Sequence, residues 1–156
     1  MPVLAYHITF GTYGTRLQPG AQPKTARKQD APVSITHHWE PEPAKLKYPQ
    51  VILTRPQMLF VEATIPKLCE RGGFRYITCA ARPDHFEQII DTTHEADDIR
   101  TKLKRWLGYS LTERFPREPD ESPIWWADSG SIKAINSEQD LHNAKRFVAD
   151  QRATFF

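Results

Sequence analysis

The order of the predicted elements, β-α-β-β-α-β-α, predicts an α+β domain with a ferredoxin-like antiparallel sheet and helices packed on one face. Three observations support this prediction. Runs of β-branched and aromatic residues indicate strands, capped stretches with apolar residues at helical spacing indicate helices, and one short turn joins two strands as a hairpin. With 156 residues, the chain fits a single domain over 1–156.

The first predicted strand covers residues 3–13, and glycines mark its turn-rich exit. Residues 15–50 are predicted to form a long, mostly irregular loop with a short extended piece at 33–36. Six of the 13 prolines fall between residues 19 and 49, and proline disfavours helices and central strands. A loop of this length is usually functional or disordered, and the sequence leaves both interpretations open.

The first helix is predicted to begin after Thr54, because a capping threonine, a proline in the first turn and Gln57 together form a helix start signal. Pro66 is expected to kink this helix, and Gly72-Gly73 to end it. Its apolar face has residues at i, i+4, i+7 and i+8, which are Val61, Ile65, Leu68 and Cys69.

Residues 74–80 and 85–91 are predicted to form two strands that a turn at 82–84 joins as a hairpin. A second helix follows, and the acidic residues at 95–98 suit the positive N-terminal end of a helix. Its core stripe consists of Ile99, Leu103, Trp106, Leu107 and Leu111. A short strand at 131–135 precedes the last helix, which turns Leu141, Ala144 and Val148 inward.

The composition is that of an ordinary globular protein, with 39% hydrophobic and 26% charged residues. No apolar run approaches the roughly 20 residues of a membrane helix, and the N-terminus lacks the features of a signal peptide. Cys69 and Cys79 lack zinc-site spacing and are expected to be reduced. We therefore expect a cytoplasmic protein without membrane contact.

His85 and Glu87 form the most informative pair of the sequence. Side chains at i and i+2 share one face of a strand, so both should point the same way. An imidazole and a carboxylate on one face suit a divalent cation such as Mg²⁺ or Mn²⁺. A polar pair on a half-exposed strand is the alternative interpretation. His7 would become a third candidate ligand if its strand lies beside the hairpin.

Six short motifs occur in order along nearly the whole chain: YHITFGTYGTRL at 6–17, CERGGF at 69–74, PDH at 83–85, LKRW at 103–106, WWADSGSIK at 125–133 and FVADQR at 147–152. Each motif is weak alone, but their order and spacing are specific. The chain resembles the insertion sequence 200-like transposases, the HUH-type tyrosine transposase family that includes the REP-associated transposases.

The resemblance implies a nuclease for single-stranded or hairpin DNA that cleaves and rejoins strands in DNA transposition. Family members bind a divalent metal through a His–hydrophobic–His motif on a central strand, and the metal polarises the scissile phosphate. A tyrosine on a later helix attacks the phosphorus and forms a phosphotyrosine intermediate. Some family members are dimers that share active sites, so the resemblance leaves a homodimer open.

The resemblance carries over to this chain only in part. The first metal histidine falls on His85, whereas the second falls on Glu87. The nucleophilic tyrosine often stands four residues after a tryptophan, and counting from Trp126 that position is Gly130. A further metal ligand is expected about one helical turn later, where the chain has Ala134.

Tyr109 is the substitute nucleophile that the sequence offers, because its place on the basic helix should leave the hydroxyl away from the core stripe. An ordinary amphipathic surface tyrosine is the alternative. The candidate DNA-binding residues are basic side chains of the second helix and of the C-terminal part, for which a solvated face is the alternative: Lys102, Lys104, Arg105, Lys133 and Arg146.

Three functions remain open from the sequence. The first is a transposase-like protein that binds single-stranded or hairpin DNA, with metal-dependent cleavage as a further step. The second is a catalytically inactive, DNA-binding relative of the transposases, which the residues at 87 and 130 favour. The third is a ferredoxin-like domain that binds a protein or a small ligand.

Overall fold

The computed structural model describes residues 2–17, 39–91 and 93–155, except for the side chains of Ser129 and Phe155. The described elements are β1 (Ala5–Thr12), β2 (Thr15–Leu17), β3 (Trp39–Pro41), α1 (Arg55–Gly72), β4 (Arg75–Ala81), β5 (His85–Asp91), α2 (Ala96–Arg114), β6 (Trp126–Ile135), α3 (Glu138–Asp150) and a 3-10 turn at Ala153–Phe155.

Four strands form the main sheet, in the order β4-β5-β1-β6, and every neighbouring pair is antiparallel. β1 is therefore a central strand, with Thr9 opposite Glu87 on one side and opposite Ser131 on the other. This order and the two helices between the strands confirm the predicted α+β, ferredoxin-like antiparallel sheet.

The two faces of the sheet differ in the helices that cover them. Ile8 and Phe10 of β1 belong to the main core, together with the inward stripes of α1 and α2. Ala5 and Ile89 point to the other face and form a second apolar cluster with residues of α3. Helices α1 and α2 thus share one face as predicted, whereas α3 lies on the opposite face, which the sequence analysis did not anticipate.

The local signals of α1 act as expected. Thr54 and Gln57 form a capping box, with hydrogen bonds of 3.3 and 2.9 Å between side chain and backbone in the two directions. The helix continues through Pro66 and ends at Gly73, whose φ of 74° suits a residue without a Cβ atom. None of the helices in the described part of the chain is both long and apolar enough to cross a membrane.

Two predicted segments need correction. The last strand begins at Trp126 rather than at residue 131, so it is ten residues long. The predicted loop at 15–50 contains a small antiparallel ribbon, because β2 pairs with β3 and brings Leu17 opposite Trp39. The predicted extended piece at 33–36 lies outside the described residues.

Glu62 explains how the C-terminal end is held against α1. Only 1% of this residue is exposed, and its carboxylate accepts backbone N–H groups of Ala81 at 2.9 Å, Ala153 at 2.6 Å and Thr154 at 3.3 Å. A buried carboxylate with several hydrogen-bond donors is compensated for the loss of water. We therefore assign Glu62 a structural role.

Candidate functional site

The register of β1 and β5 brings His7, His85 and Glu87 together on the face that also carries α3. The distance from His7 Nε2 to Glu87 Oε1 is 3.5 Å, and the distance from His85 Nε2 to Glu87 Oε2 is 3.8 Å. Glu87 thus lies between two imidazoles. The three residues that the sequence analysis selected as candidate ligands are neighbours.

Two further residues complete this group, which we call the sheet cluster (His7, Asp84, His85 and Glu87, covered by Trp39). The Nδ1–H of His85 donates to Asp84 Oδ1 at 2.8 Å, and the Trp39 ring stacks on the His85 ring, with centroids 5.1 Å apart. The sequence analysis missed both residues. Asp84 directly precedes His85 and could have been suspected, whereas nothing local connects Trp39 to this site.

His7 and Glu87 of the sheet cluster are buried, His85 and Asp84 are partly buried, and each carboxylate lies next to an imidazole. Burial raises the pKa of the Glu87 carboxyl, but the imidazoles of His7 and His85 lower it by a larger amount, so the pKa is about 2. Burial lowers the pKa of the His85 imidazole, but the carboxylates of Asp84 and Glu87 outweigh this effect and raise it. The hydrogen bond from His85 lowers the pKa of Asp84.

Several buried polar atoms of the sheet cluster lack a hydrogen-bond partner, namely both ring nitrogens of His7 and Oε2 of Glu87. Such atoms are costly to bury, and their chemistry suits a hard divalent cation. The positions of these atoms do not suit such a cation. Among residues 2–17, 39–91 and 93–155, no group of three or more His, Cys, Asp or Glu side chains is placed so that it could hold a metal ion. Mg²⁺ or Mn²⁺ binding therefore stays a prediction.

Tyr109 lies on the other side of the sheet. It is 71% exposed on α2, and α2 packs on the face that carries Ile8 and Phe10. The sheet cluster points to the opposite face, so the sheet separates it from the predicted nucleophile. Within one chain, Tyr109 and the predicted metal ligands therefore lie on opposite faces of the sheet.

The positions that the resemblance assigns to the nucleophile and to the further ligand lie in a strand, not in a helix. Gly130 and Ala134 belong to β6 and pair with Phe10 and Tyr6 of β1. A Cβ atom at Gly130 would approach the carbonyl oxygen of Thr9 to 2.3 Å, which leaves no room for any side chain. Strand packing therefore requires glycine at this position.

A groove of about 510 Å³ lies between α2 and the 123–128 segment, and we call it the α2 groove. Gly108, Tyr109 and Ile124 contribute apolar surface to it. Its charged lining residues are three cations and one carboxylate: Arg100, Lys104, Arg105 and Asp128. A cavity of this volume lies within the range of small-ligand sites.

Lys104 also holds the groove together. Its ammonium group donates to the Ala127 carbonyl and, at 3.4 Å, to the Asp128 carbonyl, and it lies 5.7 Å from the centre of the Phe10 ring. Burial and the neighbouring Arg100 lower the pKa of Lys104. Lys104 therefore connects α2 to the beginning of β6, while Arg105 remains exposed at the groove.

The predicted DNA-binding residues do not form one surface. Lys104 and Arg105 line the α2 groove, and Lys102 is half-buried on the same helix. Lys133 of β6 is exposed and pairs directly with His7 of β1, so the two side chains point to the same face of the sheet. That face is the one that carries the sheet cluster, not the one that α2 covers. Arg146 is exposed on α3, which covers that same face.

Comparison with known proteins gives a likeness at the level of structure. No family model matches the chain, and no curated protein matches its sequence. A solved structure from Deinococcus radiodurans R1, described as "a putative transposase", matches with a TM-score of 0.53 and 14% identity, over 97% of this chain and 93% of that chain. The chain thus shares its α+β fold with that protein over nearly its full length.

Proposed function

We propose that this protein is a transposase-like DNA-binding domain that holds single-stranded or hairpin DNA at the α2 groove. The observation that carries the proposal is the groove itself, in which three cations face open apolar and aromatic surface. The full-length likeness in fold to a protein described as a putative transposase supports the same function.

The lining of the α2 groove has the two properties that single-stranded nucleic acids need. Cations neutralise the phosphates of the strand and release its counterions, and exposed ring faces stack with bases that have no partner strand. Arg105 supplies an exposed charge, and Tyr109 supplies an exposed ring about one helical turn further along α2.

Strand cleavage is not part of this proposal. The predicted nucleophile Tyr109 is at the α2 groove, while the predicted metal ligands lie on the other face of the sheet, where His7 and Glu87 are buried and His85 is partly buried. The proposal therefore agrees with a DNA-binding relative of the transposases in which the groove recognises DNA and no residue of α2 reacts with it.

The experiment is a titration of a fluorescent hairpin oligonucleotide, with a single-stranded extension, against wild type and two charge-reversed variants. Arg105→Glu changes the α2 groove, and Arg146→Glu makes the same change on the opposite face. We expect Arg105→Glu to bind at least about 10-fold more weakly. It should also release about one counterion fewer on binding, so that its affinity depends less steeply on salt concentration. Arg146→Glu should bind within about 2-fold of wild type.

Two results would contradict the proposal. A loss of affinity in Arg146→Glu but not in Arg105→Glu would place the DNA on the α3 face. Wild-type affinity that does not change with salt would instead favour the third function, a ferredoxin-like domain for a protein or a small ligand.

Metal-dependent cleavage is a second candidate function, and one observation favours it. Buried atoms of His7 and Glu87 lack hydrogen-bond partners, and the Asp84–His85 pair has the form in which a carboxylate orients a ligand histidine. A denaturing gel of protein and labelled hairpin, with Mn²⁺ or EDTA, tests it. A Mn²⁺-dependent covalent adduct that Glu87→Gln abolishes would establish cleavage, whereas a native-gel shift without an adduct is expected for binding alone.

A further inference from the structure

Gly108 has no structural reason to be a glycine. It lies in the second half of the 19-residue helix α2, where glycine is a poor helix former compared with alanine. Its φ is not positive, since Gly14 and Gly73 are the glycines with positive φ among the described residues. A Cβ atom at this position would meet no heavy atom within 4 Å. Neither the backbone conformation nor close packing therefore requires glycine at this position.

The space beside Gly108 belongs to the α2 groove, because Gly108 is one of its lining residues. Next to it lie two of the few large hydrophobic side chains that the described structure exposes, Tyr109 at 71% and Ile124 at 59%. Exposed apolar surface around a concave site is typical of a binding site. A side chain at residue 108 would fill this space.

The charges around this space indicate an anionic occupant. Arg100, Lys104 and Arg105 line the α2 groove, and Asp128 is the one carboxylate among its described lining residues. Lys104 is held by backbone carbonyls and Arg100 pairs with Asp97 at 3.2 Å, so Arg105 is the exposed cation that the groove offers to a ligand. A ligand that matches both the apolar space and this cation has a flat ring and a phosphate.

We propose that the α2 groove holds one unpaired nucleotide of the bound DNA, with its base against Gly108 and its phosphate near Arg105. The occupant is unpaired because bases inside a duplex already stack on both faces and offer no free ring. This inference rests on the proposed function and adds to it where a single base lies.

The test compares Gly108→Phe, which fills the groove, with Gln139→Phe, which places the same ring at an exposed position of α3 outside the groove. Phenylalanine forms helices better than glycine does and Gln139 is exposed, so both variants should remain folded, which thermal melting checks. The probes are a hairpin with a single-stranded extension and the same hairpin with abasic sites in that extension.

We expect Gln139→Phe to bind the hairpin within about 2-fold of wild type and Gly108→Phe to bind it at least about 10-fold more weakly. Removal of the bases should weaken binding to wild type by a similar factor, since stacking contributes a comparable amount per base. The same removal should change binding to Gly108→Phe by less than about 2-fold, because the phenylalanine ring already occupies the space that the base would fill.

The failures of the two proposals differ. Salt-dependent binding of the intact hairpin that is equal in wild type and Gly108→Phe would overturn the nucleotide site and leave the DNA-binding function standing. Weaker binding to Gly108→Phe with no effect of abasic sites on wild type would also overturn it, because the groove would then hold backbone or a peptide. Absence of any hairpin binding by wild type would overturn both.

Discussion

The two faces of the sheet contain opposite kinds of site, although β1 contributes to both. On the face that α3 shares, His7 lies in the sheet cluster with charges that are buried and paired with one another. On the other face, Phe10 lies below Lys104, and the cations of the α2 groove surround open space. The comparison teaches that the residues most suggestive of chemistry in a sequence can satisfy each other, while the accessible site has a plainer composition.

The sheet cluster and the α2 groove differ in the partners of their ionisable groups. In the sheet cluster, each carboxylate lies within 4 Å of an imidazole, and Trp39 covers His85. The α2 groove is lined by three cations and one carboxylate, and Arg105 is exposed there. The sheet cluster should therefore govern stability, and the α2 groove should govern binding.

The largest expected effect is the loss of the carboxylate between the two imidazoles. Glu87→Ala should lower the free energy of unfolding by about 3–5 kcal/mol, because it leaves buried histidines without their partner. Asp91→Ala on the same strand is the matched control, since the Arg75–Asp91 pair is exposed and should contribute less than about 1 kcal/mol. Urea unfolding measures both, and equal losses would contradict the contrast between buried and exposed pairs.

A somewhat smaller effect should appear as pH dependence. The pKa of Glu87 falls from an ordinary 4.5 to about 2 on folding, so its stabilising contribution is complete above pH 4.5 and is lost as the pH falls toward 2. The pKa of His85 is raised from 6.5, so its contribution is complete below pH 6.5 and is lost as the pH rises through the raised value.

The expected result is maximal stability from these two groups between about pH 4.5 and 6.5, measured by urea unfolding at a series of pH values. Glu87→Gln should flatten the acid side of this profile, leaving the smaller part that Asp84 contributes. An acid side that is as steep in Glu87→Gln as in wild type would show that other carboxylates cause it.

Two glycine substitutions should have opposite signs. Gly130→Ala should destabilise the fold by about 1–3 kcal/mol, because the new Cβ atom would approach the Thr9 carbonyl oxygen to 2.3 Å. Gly108→Ala should stabilise it by up to about 1 kcal/mol, because the position is helical and open. Thermal melting compares the two, and a loss of stability in Gly108→Ala would contradict the open groove.

The smallest effect on stability is expected at the edge of the groove. Arg105→Gln should leave the free energy of unfolding within about 0.5 kcal/mol of wild type, because the side chain is exposed. The same variant should bind the hairpin more weakly, since one phosphate contact is lost. Unchanged affinity together with lowered stability would mean that Arg105 supports the fold instead of the DNA.

Local signals explain why much of the fold could be predicted. The capping box at Thr54, the glycine end of α1 and the strand pairs at 74–91 depend on residues that are close in sequence. The start of β6 was missed because Trp126 pairs with Thr12, more than a hundred residues earlier in the chain. The ribbon of β2 and β3 was missed for the same reason, since its two strands are separated by a long segment.

The sequence alone determined the order of the elements, the apolar stripes of α1 and α2, and the placement of His85 and Glu87 on one face of a strand, whereas it named His7 only on the condition that its strand lies beside the hairpin. These follow from periodicity and from the i, i+2 rule of strands. Only the tertiary structure decided which face each site occupies, that Trp39 covers His85, and that Tyr109 is separated from the sheet cluster. The physical reason is that a face is a property of strand register and helix packing, which join residues far apart in the chain.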